Sequence, residues 1–573
     1  MPPTNRSALA LAGRLRAMDD DRLTELLRAR EVRDSGIKDY FDLADRLLDR
    51  ANVQLALSKL DRHALIALRT DAPSLDHLAL TVDGAAYDAV AEVLAGWPAD
   101  VLDSAEPAAL TPVSQVSTGL TDHAAAERAF ATTFAVLEVV EELRRTPARE
   151  LARGGIALPD SKRLAAAANV PIEQLPALVA VAESAGLAVL SGGLWLPTAA
   201  ASDWQTLGTI DRWLALATAW INTLSDDLRT LLTERRHTVW GEHLDAWVRW
   251  LYPASGDWMS GRLVAQEARA ALLGVTAATT PSTAGIHLLA GDAAAAGAAM
   301  APLFPHEVDK VYLQHDLSIV SPGPLAAPLD SRLREVADVE SRGLATTYRV
   351  SAESLNRAIS SGATAESIRE LLGELSLTGI PQPLDYLITE TARRHALVRV
   401  GRDATGTYVR SDDEHLLTTI RVDQRLSSLG LHSDGGRLRS RLDERIIFWA
   451  ISDARYPVSA ETADGEIVTL EREHVGTVVA APRDRAREIV ERLRATAGEE
   501  TATGTAWLER QLDLAIKARI HVIVVVTMPN GTTADYLLEP TGLGGGRLRA
   551  RDRKADIERT LPLASIVEVR AAD

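Results

Sequence analysis

Cysteine is absent from all 573 residues. No disulfide, Cys-ligated zinc or Cys nucleophile can therefore be built. The absence accords with a reducing compartment, and a cytoplasmic location is expected. Lysine is scarce too: only Lys38, Lys59, Lys162, Lys310, Lys517 and Lys554 occur. Each follows Ile, Ser, Asp or Arg, so the chain contains no Gly-Lys pair. A P-loop needs Gly-Lys-Ser/Thr, because the Lys reaches the β- and γ-phosphates and the hydroxyl holds Mg²⁺. An ATPase motor of that kind is excluded. No run of about 18 strongly apolar residues is present, the length that a membrane span requires. The nearest stretch, 293–304, is mostly Ala and Gly. The apolar residues around Leu9 to Leu11 are too few and wrongly flanked for a signal peptide. No membrane partner is expected.

What is present reads as ordinary globular protein. The hydrophobic fraction is 46% and the mean hydropathy is -0.03. The net charge is -17. A surface that wraps nucleic acid is usually basic, so any DNA contact must be local. At roughly 100–200 residues per domain, several domains are expected.

Hydrophobic spacing divides the chain. Residues 1–103 read as helices, with Leu23, Leu26, Leu27, Leu43, Leu47 and Leu48 at helical intervals. Residues 104–125, with Pro107 and Pro112, read as a linker that follows Pro98. Residues 126–202 have the outline of a winged helix: a helix over about 126–145, a second from Pro159, a third from Pro171, then a hairpin through Gly192-Gly193. Residues 203–306 are helical and Trp-rich. Residues 307–400 alternate strand and helix, and 401–482 form a small α/β unit. A charged helix from Arg483 and a short linker at Gly498 to Gly504 fill 483–504. Residues 505–573 read as a helix followed by short strands. The fold class expected is multidomain, mainly α with α+β.

Two segments carry a family resemblance. The strand Val311 to Val320 runs into Ser321-Pro322-Gly323-Pro324. Next come Tyr348-Arg349-Val350-Ser351, the cap Ser361-Gly362-Ala363-Thr364, and Ile380-Pro381-Gln382-Pro383-Leu384, which opens a helix through Arg394. This order resembles the accessory domain that precedes the motor in XPB-type DNA helicases. It also resembles actinobacterial helicase-associated proteins that lack a motor. The resemblance implies a helicase-accessory α/β domain that engages DNA or partner proteins, with no catalytic residue to carry over. His315 and Asp316 look like a catalytic pair, but a polar step beside a turn explains them better.

Residues 508–570 resemble a WYL domain, which implies an SH3-like β-barrel found in bacterial regulators of DNA repair and phage defence. The matching residues include Ala515-Ile516-Lys517, Val522 to Val526, Leu538-Glu539-Pro540, Ala550-Arg551-Asp552 and Arg559-Thr560-Leu561. The Trp-Tyr-Leu positions hold Gly546-Arg547-Leu548, so the ligand-contacting aromatics of the family are missing. In their place Arg547, Arg549, Arg551 and Arg553 alternate with Leu548, Ala550 and Asp552. On a strand, residues two apart share a face at roughly 6.5–7 Å. The guanidiniums would form a ladder, and their planar forks suit phosphate. With Lys554 and Arg559, residues 547–559 carry six basic and three acidic side chains. The competing reading is a solvated edge strand that resists edge-to-edge pairing.

Other groups are weaker. Arg393, Arg394, His395, Arg399, Arg402 and Arg410 form a second basic cluster, although a helix C-terminus complemented by cations accounts for the first two. The third helix of the winged-helix segment carries Glu173 and Glu183 and no Lys or Arg, which points to structural or protein-binding use. Arg144, Arg145, Arg149, Arg153, Lys162 and Arg163 flank it. The tryptophans at 204–258 could stack single-stranded bases, but their spacing suits a buried helix face. No metal site is expected, since His237 and His243 are six apart. Asn530-Gly531-Thr532 reads as a hairpin turn and Gly542 to Gly546 as a loop. No cofactor is expected.

The sequence thus points to a non-catalytic, helicase-associated or DNA-repair accessory protein. Its partners would be DNA, single strands included, and a separate helicase or repair protein. The alternative is a WYL-type regulator that senses a ligand or nucleic acid.

Overall fold

A computed structural model describes residues 4–571 except 33–35, 70–74, 98–100, 117, 343–344, 396, 455, 463, 466, 469, 471–475, 477–483, 504–505 and 529–530. Pro98, Arg483, Gly504 and Asn530 lie outside the described residues. The chain forms two compact units. Among the described residues no single helix is long and apolar enough to cross a membrane.

The first unit joins residues 1–110, 241–265 and 479–573. The regions at 1–103 and 505–573 are far apart in sequence but share one hydrophobic core. Leu11, Leu15, Leu23, Leu27, Leu43 and Leu47 pack in the same cluster as Ile489, Leu493, Leu512, Val522, Leu538 and Leu548. The N-terminal helices form where aspartates cap them. Asp19 accepts from the N–H of Arg22, and Asp39 from those of Phe41 and Asp42, which satisfies donors that a helix start leaves open. Trp507 stacks on Phe41 at 4.3 Å between ring centroids, with the Arg16 guanidinium 4.3 Å from the Trp507 ring. Arg494 donates to Asp20 at 2.7 Å and to the carbonyl of Arg16 at 2.7 Å. Gly498 does not break the helix there, which runs over Arg485–Thr503. Helix Glu242–Leu251, from the Trp-rich region, also belongs here. Arg62 donates to the carbonyls of Trp250 and Leu102 at 2.9 and 2.6 Å, under the Trp250 ring.

The C-terminal strands form a five-stranded antiparallel sheet in the order Ile557–Pro562, Arg547–Asp552, Thr533–Gly544, Val522–Thr527, Ile566–Ala571. Among the described residues the outer strands do not pair with each other, so the sheet is open. The closed barrel expected from the sequence is not found. The open edges are Ile557–Pro562 and Ile566–Ala571.

The second unit joins residues 111–240 and 266–478. Its spine is the 28-residue helix Thr118–Arg145, which begins earlier than the sequence pattern suggested. Strand Ala148–Arg149, helices Leu158–Ala167 and Leu175–Ser184, and the hairpin of Ala188–Ser191 with Leu194–Pro197 follow. Ala148–Arg149 pairs beside Leu194–Pro197 to complete a three-stranded sheet. Trp204, Trp213 and Trp220 are buried, and their indole N–H groups donate to Arg212 O, Leu273 O and Gln266 Oε1 at 3.1, 2.7 and 2.9 Å. These tryptophans are core. Only Trp258 of the Trp204–Trp258 series is strongly exposed, at 42%.

Two further cores lie in sequence order within this unit. Helices Ala352–Ser360, Ala365–Leu375 and Gln382–Arg394 pack with a four-stranded antiparallel sheet around Val311, Ile319, Tyr348, Leu372 and Ile388. Ser351 and Thr364 form reciprocal capping boxes with Ser354 and Ser367. The expected single strand at 311–320 is two short strands, Tyr312–Leu313 and Ser318–Ser321. A turn separates them, in which Leu317 takes φ 71. The next core, around Val400, Val409, Ile447 and Phe448, lies under a six-stranded sheet in which Val398–Asp403 and Val458–Glu461 run parallel.

Candidate nucleic-acid interface

Three of the four arginines of the expected ladder lie on one strand. Along Arg547–Asp552 the side chains alternate exposed and buried. Arg547, Arg549 and Arg551 point out, while Leu548, Ala550 and Asp552 point to the core. The strand is paired on both sides, so it is not an edge. The edge-protection reading therefore does not apply to it.

Register decides which cations remain available. Arg551 lies between Glu539 and Glu558 on the neighbouring strands and pairs with Asp556 at 2.7 Å. Arg553, past the strand end, lies 3.6 Å from Glu539. Arg559 registers opposite Ala550 and so turns to the inner face. There it pairs with Asp552 at 2.7 Å and covers the Tyr536 ring at 4.5 Å. The hydrogen bond from Arg559 holds the Asp552 carboxyl below its usual range. The Lys554 backbone N–H donates to Asp552, and its side chain is exposed.

Arg547 and Arg549 differ. Their cross-strand neighbours are Gly544 and Gly542 on one side and Pro562 and Thr560 on the other. None is acidic, and neither guanidinium has an ion-pair partner among the described residues. The glycines leave open space beside them, with no atom within 4 Å of where a Cβ would stand. Gly545 and Gly546 form the two-residue connection between these strands, with φ 59 and 71. A tight hairpin with positive φ at both positions favours glycine. The expected loop at 542–546 is thus two strand glycines, Gly542 and Gly544, and a two-glycine turn.

In the second basic cluster every arginine has an acid partner. Arg393 and Arg394 bond Glu390 at 2.8 and 2.6 Å on their own helix. The hydrogen bond from Arg393, with help from Arg394, lowers the Glu390 carboxyl to about 2. Arg399 and Arg410 converge on Glu461 at 3.5 and 2.6 Å, and Tyr408 donates to the same carboxylate at 2.9 Å. Burial pushes Glu461 up, but the hydrogen bonds from Arg410 and Tyr408 outweigh it and the carboxyl sits low. Arg402 pairs with Asp443 at 3.1 Å. These arginines brace strands. Half-buried His395 holds the Ser459 hydroxyl at 2.8 Å.

Around the three-stranded sheet, Arg163 pairs with Glu142 and Asp160, and Arg145 with Asp338. Arg149, Arg153 and Lys162 have no ion pair among the described residues. His315 and Asp316 lie in the turn before Ser318, whose backbone N–H and hydroxyl both donate to Asp316. No cluster of three or more His, Asp or Glu among the described residues could hold a metal.

One buried cluster escaped the sequence reading. Arg334 bonds Glu138 at 2.5 Å and Asp330 at 2.9 Å, and the Tyr348 hydroxyl donates to Asp330 at 2.5 Å. The (i, i+4) spacing of Asp330 and Arg334 was the only local signal. Glu138 arrives from 192 residues earlier in the order of the chain and carries none.

Residues 311–434 match a family model described as Helicase conserved C-terminal domain. The match takes in both the four-stranded sheet with its helices and the first strands of the six-stranded sheet, and it ends before Arg547. No curated protein matches the chain.

Proposed function

We propose that this chain is a helicase-associated accessory protein without a motor of its own, which touches nucleic-acid backbone through Arg547 and Arg549. The observation that carries the reading is the pairing pattern. Of the cations singled out from the sequence, these two lie on one strand face with open glycines beside them and no acid opposite. A phosphodiester fits there, because each planar guanidinium can give two N–H bonds to one phosphate. The helicase-type match at 311–434 supplies the context. With no Gly-Lys pair in the chain, the reading assigns any ATP-driven step to a separate helicase. We assign the segment at 118–197 to a winged-helix-type module used for protein contact, since Leu175–Ser184 carries no Lys or Arg. An actinobacterial DNA-repair setting, a cytoplasmic location and a degenerate WYL-type C-terminal sheet complete the proposal.

The test compares the wild-type full-length chain with Arg547→Ala/Arg549→Ala on labelled single- and double-stranded DNA at low salt. Loss of at least tenfold in affinity supports the reading. Equal binding by both proteins overturns the assignment of these residues. Recovery of a separate helicase in a pull-down supports the accessory role.

One observation favours the second reading, a ligand-sensing regulator, with the ligand held outside the WYL-like segment. A cleft of about 710 Å³ runs along helix Thr118–Arg145, walled by Phe130, Phe134, Leu178 and Pro305. That volume and lining suit a small organic ligand. A ligand that changes DNA affinity would move the balance to this reading.

A further inference from the structure

A second, smaller cleft of about 230 Å³ lies beside the buried Glu138–Arg334–Asp330 cluster. Arg144, Gln205, Arg212, Ser331 and Arg334 line it, with Leu137 and the acids Glu141, Asp330 and Glu335. Arg212 is the anomaly. It is 2% exposed, yet no carboxylate lies within ion-pair distance of it among the described residues. Its guanidinium donates one hydrogen bond, to the Gln205 carbonyl, and approaches the Trp204 ring at 5.8 Å. Its Nε has no hydrogen-bond partner. Arg144 at the same cleft faces Glu141 through Nε at 3.4 Å and donates to Ser202 Oγ and Gln205 Oε1 at 3.1 Å each, which leaves one N–H on each terminal nitrogen. An arginine cannot escape by losing its proton. Leaving a buried charge without a counter-charge is expensive.

Asp330, Glu307 and Glu138 pull on Arg212 through space, but each is bonded elsewhere, Glu307 to the Thr209 N–H and hydroxyl. Glu138 and Asp330 hold Arg334, and Asp330 also takes the Tyr348 hydroxyl. Glu141 accepts from Gln205 and lies 3.4 Å from Arg144. Burial accordingly pushes the Arg212 guanidinium down from its ordinary value, against the pull of Asp330. Exposed Glu335 remains near the mouth, and it opposes a polyanion such as a nucleic-acid backbone. A single small oxyanion meets all of these constraints. We propose that this cleft binds one phosphate-type oxyanion, whose oxygens accept from Arg212 and Arg144. The site is independent of the Arg547–Arg549 surface and does not rest on the DNA reading.

The test is thermal unfolding of the full-length chain in inorganic phosphate or sulfate, against sodium chloride at equal ionic strength. Phosphate at about ten times its dissociation constant should raise the wild-type midpoint by about 3 °C. Arg212→Gln and Arg144→Gln should abolish that rise. Should Arg212→Gln fail to fold, Ser331→Glu decides. It places a carboxylate at the cleft, so the midpoint should rise without phosphate and no longer respond to it. No phosphate-specific rise in the wild type overturns the proposal. A rise that persists in Arg144→Gln and Ser331→Glu means an adventitious ion only, and also overturns it.

Discussion

Neighbouring acids, more than the arginines themselves, set what each cation can do. Arg551 and Arg549 sit two residues apart on one strand face, but only Arg551 faces carboxylates. Replacing Arg551 with Ala removes an exposed ion pair, worth under about 1 kcal/mol, and should leave DNA affinity within about twofold; fluorescence anisotropy checks this. Glu461 is the opposite case, buried and shared by Arg399, Arg410 and Tyr408. Glu461→Gln should destabilise the protein by roughly 2–4 kcal/mol at neutral pH. Its folded carboxyl titrates below the unfolded value. The stabilisation is therefore complete above the ordinary value of about 4.3 and is lost as the pH falls through the lower folded value. Denaturant unfolding of both proteins should show the gap at pH 7 and its narrowing toward pH 3. A constant gap would contradict that role.

Elements were legible where their signals are local. Thr364 caps its helix as the sequence indicated, because a cap is read within four residues, and Ser351 caps the helix before it in the same way. The strand alternation at 547–552 was legible for the same reason, since side-chain period alone fixes it. What faces that strand was not legible. Glu539 and Glu558 reach Arg551 through register, and the bulge between Pro540 and Gly542 shifts that register by one residue. The two-glycine turn holds Arg547 and Arg549 in place. Gly545→Ala with Gly546→Ala puts side chains at φ 59 and 71, which should cost roughly 1–2 kcal/mol per position. The midpoint of chemical denaturation should drop accordingly, and DNA affinity should fall with it.

At the scale of the molecule, the sequence suggested separable modules at 1–103 and 505–573, whereas these regions close one core. No local pattern announces that Leu512 and Val524 will meet Leu15 and Leu43, because such contacts depend on the whole chain. A fragment of residues 485–573 should therefore fail to give a dispersed amide NMR spectrum alone, and should gain one on co-expression with residues 1–110. An independently folded fragment would contradict the shared core. The missing Gly-Lys pair was legible outright, since it needs no structure.

The central claim is that two unpaired guanidiniums meet phosphate. It is tested most directly by the salt dependence of DNA affinity in the full-length protein. Removing two phosphate contacts should reduce the log–log slope by about 1.4 on single strands and about 1.8 on duplex. Arg547→Ala/Arg549→Ala should show that reduction, while Arg551→Ala keeps the wild-type slope. Equal slopes in all three proteins would contradict it.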